Sequence, residues 1–475
     1  MLTRLEVDGF KNLLGFDVAF GPFTCVAGPN GVGKSNLFDA IRFLSLLADH
    51  TLMDAALRVR GPGVEFGDVR DIFWTKEGYR RNTIRLAAEM IVEPDVDDDF
   101  GRSARATSTY LRYELHVAYE PPDKRGMLGR LILTHESLTH ITEGEASSRM
   151  GFPHDARQFR SAVVKNDRRS RAGFISTQKA EDGQTEIVVH QDGGSRGPGQ
   201  LASAARAPRT IVGTSNTSAT PTILAARREM QKWKFLALEP SAMRNPDRFH
   251  AEAAITANGG HLPATLNRLV SEAGKRGEDA TAVFARIATR LAQLVPVSDM
   301  SIDVDEVRQL LTLYVTEPTG VKLPAASLSD GTLRFLTLVV LLSDPEARGL
   351  ICIEEPENGI HPAKLDEMVR LLKELAVDPN HSPGSDNPFR QVIVATHSPG
   401  FVQLQDRDDL VLALEARVRD ENGTSVRTLR CRPLEGTWRS RPNEPTAGMG
   451  SILAYLSTPP GAQIELPVRL RVAAG

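Results

Sequence analysis

The chain opens on strand-like alternation, Met-Leu-Thr-Arg-Leu-Glu-Val-Asp-Gly-Phe over residues 1–10, the two-residue period of a half-buried strand. Residues 2–8 and 13–20 read as two strands parted by Gly9-Phe-Lys-Asn12, and a continuous apolar run follows at Phe23-Thr-Cys-Val-Ala27. The period then lengthens. Leu37, Ile41, Leu44 and Leu47 recur at three and four residues, which predicts a helix with one apolar face, ending before the glycine-rich segment 61–67. Stretches 83–92, 109–120 and 129–141 are alternating or rich in β-branched residues and predict an antiparallel sheet rather than continued strand–helix alternation. Asp182-Gly183, between Phe174–Thr177 and Glu186–His190, predicts a hairpin turn.

Residues 192–220 are dominated by Gly, Ser, Ala and Thr with no sustained period, and read as a flexible surface segment or a loop buried by a partner. Helical periodicity returns around 222–235 and 261–294, with Leu262, Leu266 and Leu269 on one stripe and Val283, Ile287, Leu291 and Leu294 on another. Core packing explains both stripes. Leu311–Val315 reads as a strand, and Ser329 as the cap of a helix carrying Leu333, Leu336 and Val340. Gly349–Ile353 and Gln391–Ala395 are buried core strands by composition, with an amphipathic helix from His361-Pro362 to about Leu375 between them. Strand candidates near 410–417 and 424–430 and a short helix near 449–456 complete the pattern.

At 475 residues, 41% hydrophobic and 25% charged, the composition is that of a globular protein with more than one compact unit. Lys and Arg number 57 against 60 Asp and Glu, so no bulk basic charge argues for nucleic acid; the cluster Lys165–Arg171 reads as a solvated face or linker, or as a local phosphate-backbone contact. No apolar run reaches the roughly 18–20 residues that span a bilayer. The start of the chain carries no apolar signal core. Cys25, Cys352 and Cys431 suit a reducing compartment, the first two as small buried hydrophobes in core strands. A cytoplasmic location is expected.

Candidate chemistry enters between the third strand and the first helix, at Gly28-Pro-Asn-Gly-Val-Gly-Lys-Ser35. Strand, glycine loop and helix in that order make a phosphate cradle, in which loop amides converge on the phosphates, Lys34 reaches the terminal ones and Ser35 offers a hydroxyl to Mg2+. Asn30, Gly31, Gly33 and Asn36 complete the candidate binding set. Leu350-Ile-Cys-Ile-Glu354-Glu355 ends a core strand in an acidic pair; Glu354 suits Mg2+ and its water shell, and Glu355 the attacking water. Thr396-His397 ends another core strand, where His397 can sense a γ-phosphate and position water. Ser329 and Gly331, in Leu328-Ser-Asp-Gly-Thr-Leu-Arg334, offer a hydroxyl and an amide at a helix start. Phosphate binding and plain helix capping explain them equally well.

Together these residues resemble the ATP-binding-cassette ATPases, in the branch of RecF, the structural-maintenance-of-chromosomes heads and the overcoming-lysogenization-defect ATPases, and most of all the abortive-infection-like bacterial AAA ATPases. Gly28–Ser35 looks like the Walker A loop, Ile351–Glu355 the Walker B strand, Leu328–Thr332 the signature, and His397 the switch histidine; Arg334 matches an arginine that commonly follows the signature. The resemblance covers residues 1–48 and 320–405. It departs at Asp330 and Thr332 in the signature, at Glu354 for the usual aspartate, and at His361 for the aspartate of the inter-subunit loop; no Q-loop glutamine is identifiable.

The resemblance implies an α/β fold: a P-loop ATP-binding-cassette ATPase head with an antiparallel β subdomain and an inserted α/β arm. The divisions expected are 1–48 and 311–405 for the two parts of the head, 49–310 for the inserted β and helical regions, and 406–475 for a C-terminal α/β extension. It implies ATP and Mg2+ as ligands and a homodimer in which Ser329 and Gly331 of one copy close over nucleotide held by Lys34, Ser35, Glu354 and Glu355 of the other. A nuclease or toxin effector and DNA or RNA are the further partners it suggests, in phage defence or DNA repair, with no membrane insertion. An ATP-dependent scaffold or sensor with slow hydrolysis, or a transporter energiser, is the alternative.

Overall fold

The computed structural model describes residues 1–59, 67–76, 79–122, 129–167, 173–181, 184–192, 200–204, 207–419, 423–442, 444–448 and 450. Two sheets dominate. The larger has eight strands, ordered Gln200–Ser203, Thr185–Val189, Ile175–Lys179, Arg130–His140, Tyr110–Glu120, Thr83–Ile91, Leu2–Asp8, Phe16–Ala19, all antiparallel. Its long strands carry the alternation seen in sequence: Tyr113, opposite Ala88 and Leu138, is buried while its neighbours Arg112 and Glu114 are half-buried.

The second sheet has six strands, ordered Lys234–Leu236, Gly349–Glu354, Arg390–Thr396, Phe23–Ala27, Leu410–Arg419, Ser425–Pro433. The first five are parallel and the last is antiparallel. Phe23–Ala27 and Arg390–Thr396 are buried at every residue, as befits parallel strands covered on both faces. Alternate side chains of one strand therefore enter different cores. Leu350 and Cys352 pack with the antiparallel sheet and the helices Lys34–Leu47 and Pro221–Gln231. Ile351 and Ile353 pack with the helices Leu262–Lys275, Ala280–Leu291, Asp330–Ser343 and Leu365–Leu375. A buried glutamine joins the two sheets: Gln391 accepts from the Leu2 amide at 2.8 Å and donates to the carbonyls of Leu2 at 2.7 Å and Gly21 at 2.9 Å.

Several expectations change. The helix expected over 222–235 stops at Gln231, and Lys234–Leu236 extends beside Gly349–Glu354 instead, because backbone pairing to a parallel neighbour outweighs local periodicity in so short a stretch. Within 192–220, Gln200–Ser203 is a strand paired to Thr185–Val189, and Ile211–Thr214 is a helical turn capped by Thr210; 193–199 and 205–206 lie outside the described residues. So do the turn Asp182-Gly183, most of the cluster 165–171 and, apart from residue 450, the helix expected near 449–456. The strands Lys234–Leu236, Leu410–Arg419 and Ser425–Pro433, from segments read as insertion and extension, share a sheet with Phe23–Ala27.

Candidate active site

The carboxyl ends of the parallel strands converge on one crevice, the usual place for a ligand in such sheets. Phe23–Ala27 delivers the glycine loop. Gly28 leads off against the last-but-one strand so closely that a Cβ would lie 2.4 Å from the Ala413 carbonyl oxygen; its amide donates to Thr396 O at 3.1 Å. Gly33 has φ 105°, and a side chain there would meet the Asn12 carboxamide. The helix then starts at Lys34 with no side-chain cap and no acidic residue in its first turn, leaving oriented N–H groups for an anion.

Lys34 Nζ donates to Gly28 O at 2.7 Å and Pro29 O at 2.8 Å. Burial lowers its pKa, against the charges of Glu355, Glu354 and Glu357, which hold it up. Asn30 and Gly31 on the loop and Ser35 in the first helical turn are exposed. Asn36, expected among the ligand-binding residues, has its carboxamide engaged with Asn12 at 2.8 Å, and Asn12 in turn donates to Val32 O at 2.9 Å. Asn36 thus braces the loop here. Asn12 escaped the sequence reading because only folding brings it to the loop; the break Gly9–Asn12 was its one signal.

Gly349–Glu354 delivers the acidic pair. Lost hydration in the crevice raises the Glu354 carboxyl, the Ser35 hydroxyl draws it down, and Asp39 and Glu355 raise it further. The Ser35 hydroxyl is thus near enough to act on the Glu354 carboxyl. Glu355 sits in the left-handed region at φ 49°, its amide bonded to Ala395 O at 2.8 Å. Its Oε1 meets His397 Nδ1 at 2.6 Å and its Oε2 accepts from Asn358 Nδ2 at 2.8 Å. Two residues far apart in sequence thus form one acid–imidazole pair. Asn358 was not foreseen, nor was the bond between the Glu357 and Thr396 side chains.

The segment after Lys234–Leu236 closes one flank. With Phe38, Arg42, Arg334 and Glu354 it lines a cavity of about 380 Å³ that has both apolar and charged side chains in its walls. Ser329 caps the helix Asp330–Ser343, accepting from the Thr332 amide at 3.2 Å. Asp330 is bonded to Arg244 at 2.6 Å. Gly331 packs on the acidic turn, where a Cβ would fall 2.2 Å from Gly359 O, and Arg334 donates to Asn358 O. Among the described residues, Ser329 and Gly331 make no hydrogen bond to Gly28–Ser35 of their own chain. His361 caps the turn that follows, accepting from Ala363 N at 3.2 Å. Among these residues, too, no helix is long and apolar enough to cross a membrane.

Known proteins are similar in sequence to parts of this chain. The chain is 33% identical over 111 residues to the chromosome partition protein Smc of Bordetella petrii, covering 23% of this chain and 8% of that one. It is 28% identical over 170 residues to the DNA replication and repair protein RecF of Streptomyces avermitilis, 35% of this chain and 40% of that one. The chain thus spans less than half the length of these relatives. A solved Smc head bound to the C-winged helix domain of ScpA aligns with a TM-score of 0.44 at 14% identity, over 91% of this chain and 98% of that one. The family described as "AAA domain, putative AbiEii toxin, Type IV TA system" matches residues 23–89 and 207–403, more than half of the chain. The chain therefore belongs to that AAA family.

Proposed function

We propose that the protein hydrolyses ATP to ADP and phosphate, in two copies placed head to head, and that the cycle regulates a nucleic-acid-processing or phage-defence effector in the cytoplasm. The observation that carries the reading is Glu355: a carboxylate in a left-handed turn, bonded to His397 and Asn358, at the strand end beside an uncapped helix start. Glu355 orients the attacking water and takes its proton. His397 holds Glu355 in place and faces the γ-phosphate. Lys34 exchanges its bonds to the Gly28 and Pro29 carbonyls for phosphate oxygens, joined by amides of Asn30, Gly31, Gly33 and Asn36.

Ser35 and Glu354 offer hard oxygen donors, and the Ser35 hydroxyl acts on the Glu354 carboxyl; such a pair suits Mg2+. The ion would screen the charge of the terminal phosphates there. Ser329 and Gly331, which make no hydrogen bond to their own loop, complete the partner copy's site with a hydroxyl and a helix start. The proposed nucleic-acid link rests on relatives named for chromosome partition and DNA repair, and the effector link on a family described as a putative toxin.

Single-turnover hydrolysis with Glu355→Gln and Lys34→Ala tests the catalytic half. The first substitution is expected to keep nucleotide affinity and slow turnover about 10²–10⁴-fold; the second, to weaken binding itself. Wild-type turnover in folded Glu355→Gln refutes the assignment. Light scattering with ATP and Glu355→Gln tests the dimer, which is refuted if mass does not rise at any protein concentration. One observation favours a slower scaffold or sensor. Both Glu355 oxygens already have a partner within the chain, so turnover in the absence of an effector is expected at the low end.

A further inference from the structure

Glu357 is a carboxylate that the proposed chemistry leaves unused. It is buried, and of its two oxygens Oε1 accepts the Thr396 hydroxyl, while Oε2, equally buried, has no hydrogen-bond partner among the described residues. Burial pushes the carboxyl up, the Thr396 hydroxyl draws it down, and the Glu355 charge pushes it up again. A group so costly to bury needs a reason to be there.

The geometry supplies one. Glu355 lies two residues before Glu357 in the turn after the acidic strand, and His397 directly follows Thr396 at the end of the histidine strand. The turn's internal bonds, Asn358 N to Glu355 O at 3.1 Å and Ile360 N to Glu357 O at 3.0 Å, fix its shape without fixing where it sits on the sheet. Glu355 N to Ala395 O is one tie to the histidine strand; Glu357 to Thr396 is a second, and it runs from side chain to side chain. Thr396 is itself anchored, its hydroxyl accepting from Ser398 N at 2.9 Å and its carbonyl from Gly28 N at 3.1 Å. Through its hydroxyl and its carbonyl, Thr396 thus joins the acidic turn and the first residue of the phosphate loop to the histidine strand.

We propose that Glu357 is a positioning residue for the hydrolysis proposed above: its bond to Thr396 sets the register in which Glu355 and His397 meet. The inference rests on that reading for its catalytic consequence, though not for its structural one. It acts through Glu355 and touches no substrate.

Glu357→Ala, Glu357→Gln, Thr396→Val and Thr396→Ser in the full chain test it with two readouts. The first is steady-state hydrolysis with the affinity for a fluorescent ATP analogue; the second is ¹⁵N NMR of histidine-labelled protein, the His397 signal being assigned by its loss in His397→Gln. Glu357→Ala and Thr396→Val are expected to lower kcat about 10–100-fold, to leave KM and analogue affinity within about twofold, and to shift the His397 signal as Glu355→Ala does. Glu357→Gln and Thr396→Ser, which keep an acceptor and a hydroxyl, are expected to stay near wild type. An unmoved His397 signal in Glu357→Ala overturns the proposal, as does a fall in kcat matched by an equal loss of analogue affinity. Should the wild type hydrolyse no ATP, the ATPase reading fails by itself, and the His397 signal still decides the role of Glu357.

Discussion

Glu355 shares a positive φ with only three other non-glycine residues among those described, Lys11, His261 and Gln309. A left-handed glutamate is disfavoured by about 1–2 kcal/mol, and such strain gathers where a side chain must be aimed. Neither the turn nor the His397 bond was legible in Ile351–Glu355, because the partner lies 42 residues away; the acidic pair itself was. A second acid sets a pH dependence. Burial lifts Glu136 to about 7 although it accepts from the Ile211 and Val212 amides and from Tyr113. A carboxyl raised in the folded state favours folding below its unfolded pKa and withdraws that stability as pH rises through the folded value. Between about pH 4.5 and pH 7, Glu136 is therefore expected to remove roughly 3 kcal/mol. Thermal melts should show wild type losing stability across that window relative to Glu136→Gln; parallel pH profiles of the two would contradict this.

Among the elements, the helix Asp330–Ser343 does two jobs at its first turn. Ser329 caps it, and Gly331 gives room for Gly359 O. Gly331→Ala would force the acidic turn away by more than a side-chain rotation can absorb, at about 1–3 kcal/mol. A lower melting temperature and slower hydrolysis are expected, read by calorimetry and single-turnover kinetics; an unaltered melt would show that the turn yields freely. The cap at Ser329 was legible because capping is local, whereas the contact with Gly359 was not. The same divide explains the strands. Phe23–Ala27 and Arg390–Thr396 announced themselves by continuous apolar runs. Lys234–Leu236, with a period too short to read and one hydrogen-bonded neighbour in the sheet, did not.

On the scale of the whole molecule, the two sheets are tied by Gln391. Gln391→Leu would bury the Leu2 amide and the Leu2 and Gly21 carbonyls without partners, each worth about 1–3 kcal/mol. A loss of about 3 kcal/mol or more in urea denaturation is expected, and a change below about 1 kcal/mol would mean that water takes over these groups. The strand order was beyond the sequence reading for a related reason: periodicity names a strand but not its neighbours. Phe23–Ala27 has its neighbours at Arg390–Thr396 and Leu410–Arg419, nearly the whole chain away. During synthesis the strand that carries the glycine loop must thus wait, edges bare, until Arg390–Arg419 has left the ribosome. Refolding from denaturant should accordingly be slow and prone to misassociation, and a nascent copy would be a natural client for chaperones.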